Sequence, residues 1–287
     1  MSDKVWFNGA IVPVDEAKVS VLDRGFLYGD GIFESMRAYD TRVLKLDEHL
    51  DRFLASAGEL QIPVPCSAAT LAEAVDELIA ANGLDDAYVR LALSRGVGGH
   101  RLSLDGEFRP TLVMTARPFT PYPKECYRQG MTGVTAGFHT SPDSPVLRHK
   151  SANYLENILA KDAAEREGAG EAIFVNAHGH VTEGTVSNVF VVEGEETVTA
   201  PVSEGLLPGI TRAMVLADLA PALGLSCREE AFGLGRLFQA DEVFLTNSLM
   251  EIMPIATIDD VKIGGRVPGQ ITRELMAAYR KATQSLR

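Results

Sequence analysis

Cysteine is scarce in this chain: Cys66, Cys126 and Cys227 stand far apart, with no Cys-x-x-Cys spacing. That argues against a disulfide framework or a zinc ribbon and for a reducing compartment. No apolar run approaches the roughly 20 residues a membrane span needs. The opening MSDKVWFNGA is charged early and has no apolar core region, so no secretory signal is expected there and the protein reads as cytoplasmic. Bases are few beside acids: 27 Lys and Arg against 39 Asp and Glu give a net charge of −12. Such a surface repels phosphate backbones and anionic bilayers, which makes nucleic acid and membranes poor partners. There is no internal repeat, no low-complexity tract and no Gly-x-Ser-x-Gly elbow. GVGG and GLG lack the strand, GxGxxG and helix context of a dinucleotide site.

What is present is ordinary globular composition, 46% hydrophobic and 23% charged over 287 residues, enough for one large domain or two modest ones. Asn8-Gly9 between apolar runs predicts a hairpin. GIFESMRAYDTRVLKL predicts a second, turning near Asp40, with Phe33, Ser35, Arg37 and Tyr39 on one strand face. Helices follow from Asp47 to about Leu60, with Leu50, Phe53, Leu54 and Ala57 buried, and from the Ser67 cap to Gly83. AYVRLALS alternates as a strand, with Tyr88, Arg90 and Ala92 on one side; SRGVGGHRLSLDG reads as a glycine-rich loop and TLVMTA as a strand. The prolines 118, 121 and 123 mark a stiff connector. The expected division is a domain over 1–117, a linker over 118–129 and a second domain over 130–287, the first α+β and the second mostly β with helices. In the second, LPGITRAMVLADLAPALG reads as one helix and another begins near Gly269.

RHKSANYLENILAKDAAEREG predicts a helix with Lys150 at its threshold, where the helix dipole disfavours a free ammonium. A lysine that is neutral or covalently bonded has reason to stay there. Glu183 follows 33 residues later in VTEGTVSN. LPGITR opens a helix with Thr211 in its first turn, and exposed amides at such an end hold phosphate. Arg52 in EHLDRF and Ser248 in TNS are further phosphate candidates. A lysine, a carboxylate and an anion cradle are what pyridoxal 5'-phosphate requires: an amine that bonds it and moves a proton, an acid at the ring nitrogen, and donors for the phosphate. Each element alone is commonplace.

Together, DRGFLYGDGIFESMR, DEHLDRFLASA, HKSANYLENILAKDAAEREG, EAIFVNAHGHVTEGTVSNVF, LPGITR and ADEVFLTNSLMEIMP resemble the class IV (fold type IV) pyridoxal-phosphate enzymes. This is the family of branched-chain and D-amino-acid aminotransferases, and the likeness runs from Trp6 to the final helix. The resemblance implies an α+β, two-domain fold type IV enzyme. It has a small α/β N-terminal domain, a larger β-barrel-like C-terminal domain with helices, and the cofactor at their interface. It implies a homodimer or larger assembly, with part of each substrate pocket supplied by the neighbouring subunit. By position, Lys150 is similar to the Schiff-base lysine and Glu183 to the partner of the pyridine nitrogen. Arg52, Ile210, Thr211 and Ser248 are similar to phosphate ligands, Tyr154 to a tyrosine near the phenolic oxygen, and Leu207 to the residue packed on the ring.

Tyr28, Phe33, Arg37, Tyr88 and Arg90 match the YGxxxFExxR and YxR pattern of the branched-chain group, with Leu249 as a further substrate contact. Ser35 stands where that group has glycine. The loop over 96–106 looks more like lyase versions, and His100 and Arg101 are adjacent and reversed relative to the D-specific pattern. The leading expectation is transamination from branched-chain L-amino acids to 2-oxoglutarate. The alternatives are an aminodeoxychorismate lyase making 4-aminobenzoate and pyruvate, a D-amino-acid transaminase, and a non-catalytic cofactor binder. The paired Lys150 and Glu183 count against the last. His149 reads as a structural hydrogen-bonding residue. His178 and His180 flank Gly179 in a turn with no third ligand nearby in sequence, so no metal is expected.

Overall fold

The computed structural model describes residues 3–99 and 101–286. Two units divide them: one holds the chain up to Thr120 together with His149–Asn153, and the other holds Pro121–Arg148 and Tyr154–Ser285. No helix of the described residues is long and apolar enough to cross a membrane.

In the first unit, strands β1 (Lys4–Phe7) and β2 (Ala10–Pro13) form the hairpin that Asn8-Gly9 announces, with φ of 48° and 100° at its two turn residues. Helix α1 (Arg24–Tyr28) follows, then β3 (Gly31–Tyr39), β4 (Arg42–Val43), α2 (Leu46–Glu59), α3 (Ala68–Asn82), β5 (Ala87–Gly98) and β6 (Phe108–Pro118). The strands make a sheet in the order β2-β1-β6-β5-β3-β4. Ser67 caps α3 by accepting from the Thr70 amide, and Gly83 ends it in the left-handed region. Leu50, Phe53 and Ala57 of α2 and Leu71, Val75 and Leu78 of α3 pack with Met36, Val89 and Leu91 of the sheet. One sheet face is thereby covered, and the other presents the alternate residues of β3 and β5.

The glycine-rich stretch after Ser94 is not all loop. β5 runs on to Gly98 through a bulge between Ser94 and Val97. Gly96 permits this: at φ 78° a Cβ there would stand 1.6 Å from the Arg109 carbonyl oxygen. His100 lies outside the described residues.

The second unit contains α4 (Lys124–Gln129), inside the stretch expected as linker, then β7 (Met131–Thr140), α5 (Leu155–Arg166), β8 (Glu171–Asn176), β9 (Val181–Gly184), β10 (Asn188–Glu193) and β11 (Glu196–Thr199). After these come α6 (Ile210–Met214), α7 (Ala220–Ala222), β12 (Ser226–Glu229), α8 (Leu234–Gln239), β13 (Glu242–Asn247), β14 (Glu251–Ile258), β15 (Val261–Lys262) and α9 (Gln270–Gln284). The sheet order is β12-β11-β10-β13-β14-β7-β8-β9, and pairing of Asn188 with Glu183 joins β10 to β9. That last pairing closes β9, β10, β13, β14, β7 and β8 into a barrel. Val189, Val191, Val243, Leu245, Met253 and Ile255 fill its core.

Two local expectations need correction. Helix α5 begins at Leu155, so Lys150 is not at a helix threshold but in an extended stretch five residues earlier. Its neighbours pair with β3 instead, which supplies the backbone bonds a short strand requires. The single helix expected over LPGITRAMVLADLAPALG is interrupted by a wide π turn over Val215–Leu219. Pro221 has no N–H to donate and its ring crowds the preceding turn, so the regular ladder gives way there.

Candidate active site

Lys150 is fixed through its own backbone. Its carbonyl accepts from the Phe33 amide at 2.8 Å, Ser151 bridges Ile32, and the Ala152 amide donates to the Gly31 carbonyl at 2.8 Å. Gly31 is required for this approach, since a Cβ there would meet the Leu93 carbonyl oxygen at 2.7 Å. The Lys150 Nζ stands 4.6 Å from the centre of the Phe33 ring. The Arg90 guanidinium lies 3.7 Å from the centre of that same ring. Pairing of β3 with β5 brings Ser35 opposite Arg90 and Arg37 opposite Tyr88, so the face expected from alternation exists. On it the Ser35 hydroxyl meets the Tyr88 hydroxyl at 3.2 Å, and Arg37 stacks on Tyr39 and Phe119. Tyr28 is set apart from this cluster, exposed at the end of α1 with Arg24 against its ring.

Beneath the opposite side of β3 lies a group that sequence reasoning missed. Glu34 is 1% exposed, and its two oxygens take the Arg52 guanidinium bidentately at 2.8 and 2.7 Å. His49 Nδ1 meets Glu34 Oε2 at 2.8 Å. Burial by itself would raise the Glu34 pKa, but the Arg52 charge and the hydrogen bonds of His49 and Arg52 prevail and hold it at about 2. Burial lowers the His49 pKa, against the hydrogen bond and charge of Glu34. The signal was in EHLDR, where His49 and Arg52 are three apart on one helix face, and in the buried Glu34 of FES. His149 has the structural role expected, with Nδ1 3.1 Å from the Ser56 hydroxyl.

The motif DRGFLYGDG is a clamp. Asp23 caps α1 and accepts from the Ser94 and Thr111 hydroxyls, while Asp30 is gripped by Arg24 and Arg95, both nearly buried. Arg24 also donates to the Arg101 carbonyl at 2.6 Å, which ties down the loop after β5.

The second unit holds the other candidates. Glu183, half-buried on β9, accepts at Oε2 from the Leu207 amide at 3.1 Å and from Asn188 Nδ2 at 3.5 Å. Asn188 Nδ2 also donates to the Leu207 carbonyl at 2.9 Å. One amide side chain thus sets both the carboxylate and the residue expected to pack on a ring, and Asn188 was not singled out from sequence. Gly209 caps α6, and a Cβ there would stand 2.0 Å from Asn188 Oδ1. The first helical bond runs from the Ala213 amide to the Gly209 carbonyl, so the amides of Ile210 and Thr211 point out of the helix end. Thr211 is 4% exposed. Ser248 and Leu249 form the turn after β13, held by Asn247 Oδ1, which accepts from the Leu249 and Met250 amides at 2.8 and 2.7 Å. Tyr154 immediately precedes α5 and is half-buried. Near His178 and His180 the fold does supply a third group: His180 Nδ1 meets Glu204 Oε2 at 2.8 Å.

The Amino-transferase class IV family matches residues 31–258. The chain belongs to the class IV aminotransferases. It is 39% identical over 280 residues to a Methanocaldococcus jannaschii protein provisionally named a branched-chain-amino-acid aminotransferase, covering 96% of this chain and 95% of that one. A D-alanine aminotransferase of Staphylococcus haemolyticus is 34% identical, with 98% of each chain covered. The solved branched-chain amino acid aminotransferase of Thermobaculum terrenum, in its PLP-bound holo form, has a TM-score of 0.90 and 28% identity, covering 100% of this chain and 95% of that one. The fold is therefore fold type IV, and the enzyme is a pyridoxal-phosphate-dependent aminotransferase acting on small amino and oxo acids.

The residues of this aminotransferase suit the cofactor. The amides of Ile210 and Thr211, unused by the helix, are donors a phosphate could take. Glu183, steadied at one oxygen by two donors, is an acid suited to a protonated ring nitrogen. Lys150 carries a primary amine of the kind that can bond the cofactor's aldehyde.

Proposed function

We propose that this aminotransferase moves the amino group of branched-chain L-amino acids to 2-oxoglutarate. The observation that carries this reading is the Phe33 ring, flanked by the Lys150 amine and the Arg90 guanidinium. One aromatic surface thereby adjoins both the reacting amine and a cation for a substrate carboxylate. A pocket of about 210 Å³ beside it is lined by Phe26, Phe33, Ala92 and Val113 along with Arg90, which suits an aliphatic side chain. Similarity to branched-chain relatives over almost the whole chain supports the same substrate class.

In this reading Arg52, Thr211, Ser248 and the amides of Ile210 and Thr211 hold the phosphate. Leu207 packs on the ring and Tyr154 faces the phenolic oxygen. Glu183 keeps a proton at the ring nitrogen. The bound cofactor supplies the carbonyl that takes up nitrogen and an electron sink for the substrate's α-carbon. Lys150 would bond the cofactor through its amine, be released when the substrate's amine takes its place, and then, as a free neutral amine, accept the substrate's α-proton and return it. Arg90 holds a carboxylate, while Phe33, Arg37, Tyr88 and Leu249 shape the pocket and Tyr28, exposed at the end of α1, serves the pocket of a neighbouring subunit. The Ser35 hydroxyl, in place of glycine, orients Tyr88 through their 3.2 Å contact.

The assembly in this reading is a homodimer, for which Val21, Leu22 and Phe26 around α1, 63–74% exposed, and Leu155, Ile158 and Leu159 on α5, 56–68% exposed, offer apolar contact surface. The compartment is cytoplasmic, in keeping with three free cysteines. Chiral analysis of the glutamate formed from L-leucine and 2-oxoglutarate tests the reaction: L-glutamate is expected, and D-glutamate or none overturns the assignment. Borohydride treatment of the yellow holoenzyme should fix the cofactor on the peptide holding Lys150. Light scattering should give twice the mass of 31.0 kDa.

A further inference from the structure

A cavity of about 700 Å³ in the second unit is lined by no residue assigned above. Its walls come from three places. Helix α4 contributes Lys124 and Arg128, one turn apart, with Tyr127 beside them; helix α9 contributes Arg273, Met276 and Arg280 on one stripe; and the stretch Arg266 to Pro268 supplies the third side. Lys124, Arg128, Arg266, Arg273 and Arg280 are five cations, and no Asp or Glu lines the cavity. This happens in a chain whose net charge is −12.

Three arginines elsewhere in the unit are matched with acid: Arg212 with Glu229, Arg228 with Glu196 and Glu230, Arg236 with Glu193 and Glu230. Among the described residues, none of the five cavity cations meets a carboxylate oxygen within 4.0 Å. Gathering unmatched like charges is unfavourable, and a bound anion reverses the sign of that energy. Arg273 is already oriented, its Nη1 donating to the Pro268 carbonyl at 2.6 Å. Tyr127 is held too, its hydroxyl donating to the Met250 carbonyl at 3.1 Å. With Val267 and Met276, the Tyr127 ring forms an apolar wall beside the cations.

We propose that this cavity binds a nucleoside polyphosphate, with phosphates on the arginines and the base against Tyr127 and Met276. Guanidinium groups match phosphate geometry and stack on planar rings. The volume fits one small ligand, and the chain's net charge of −12 opposes long polyanions.

The test is calorimetric titration of the holoenzyme, its cofactor site filled, with magnesium-free ATP at low salt. Saturable one-to-one binding is expected. Arg266→Ala/Arg280→Ala should weaken it by roughly tenfold or more, as should Lys124→Glu/Arg128→Glu by charge reversal. Arg166→Ala, on the exposed surface of α5, should leave it within twofold of wild type. Pyrophosphate should bind roughly fivefold more weakly than ATP for want of the apolar wall. No heat with ATP, or full affinity in both double variants, overturns the site. Equal affinity for pyrophosphate and ATP overturns the nucleoside assignment.

Discussion

Replacing Glu34 by Gln removes the one charge that both Arg52 and His49 address. The folded carboxyl has a pKa of about 2 against an ordinary 4.5. At about 1.4 kcal/mol for each tenfold change in proton affinity, that gap corresponds to about 3 kcal/mol of stability at neutral pH. Because Glu34 is 1% exposed, solvent screening does not reduce the figure much. It also matches the usual ~3–5 kcal/mol loss when one partner of a buried ion pair is deleted. The sign follows from a depressed pKa: the contribution is complete above pH 4.5 and disappears as the pH falls toward 2. Trp6, the only tryptophan, is 4% exposed in the core of this unit, so its fluorescence reports the unfolding of the right part of the molecule. Urea titrations followed by that signal should show Glu34→Gln less stable by about 3 kcal/mol at pH 7, with the gap closing through pH 4 to 2. A variant within ~0.5 kcal/mol of wild type at pH 7, or a gap independent of acid, would refute the reasoning.

Glu183→Gln should keep the cofactor and its colour yet turn over roughly 10²-fold more slowly or worse, since an amide cannot hold a proton at the ring nitrogen; unchanged kcat removes that role. Arg90→Ala should raise KM by about tenfold or more while kcat moves much less, and initial rates across substrate concentration separate the two. Burial pushes the Cys227 thiol up to about 11, so its alkylation by iodoacetamide should be slow at pH 8 and accelerate toward pH 11, as peptide mass spectrometry would show. Rapid labelling of Cys227 at pH 8 would contradict that burial.

Local chemistry was legible where one residue type settles one geometry. Asn8-Gly9, Ser67 and Gly83 marked a turn and both ends of a helix, and alternation placed Phe33, Ser35 and Arg37 on the face that Tyr88 and Arg90 share. What stayed hidden depends on partners distant in sequence. Lys150 read as a helix residue because α5 is close downstream, whereas its conformation is set by Gly31, Ile32 and Phe33 more than a hundred positions away. Glu34 looked like an ordinary strand carboxylate until α2 laid His49 and Arg52 across it. Asn188 in TVSNVF gave no sign that it steadies Glu183 and Leu207 together. The π turn after α6 was legible in principle from Pro221, and the helical period of its neighbours masked it.

The central claim is tested most directly by a half-reaction without an amino acceptor. The yellow holoenzyme is mixed separately with L-leucine and D-alanine, and the loss of its visible absorbance is followed in a stopped-flow spectrometer. The account predicts rapid bleaching by L-leucine and none by D-alanine. Bleaching by D-alanine alone, or silence with both, would contradict it.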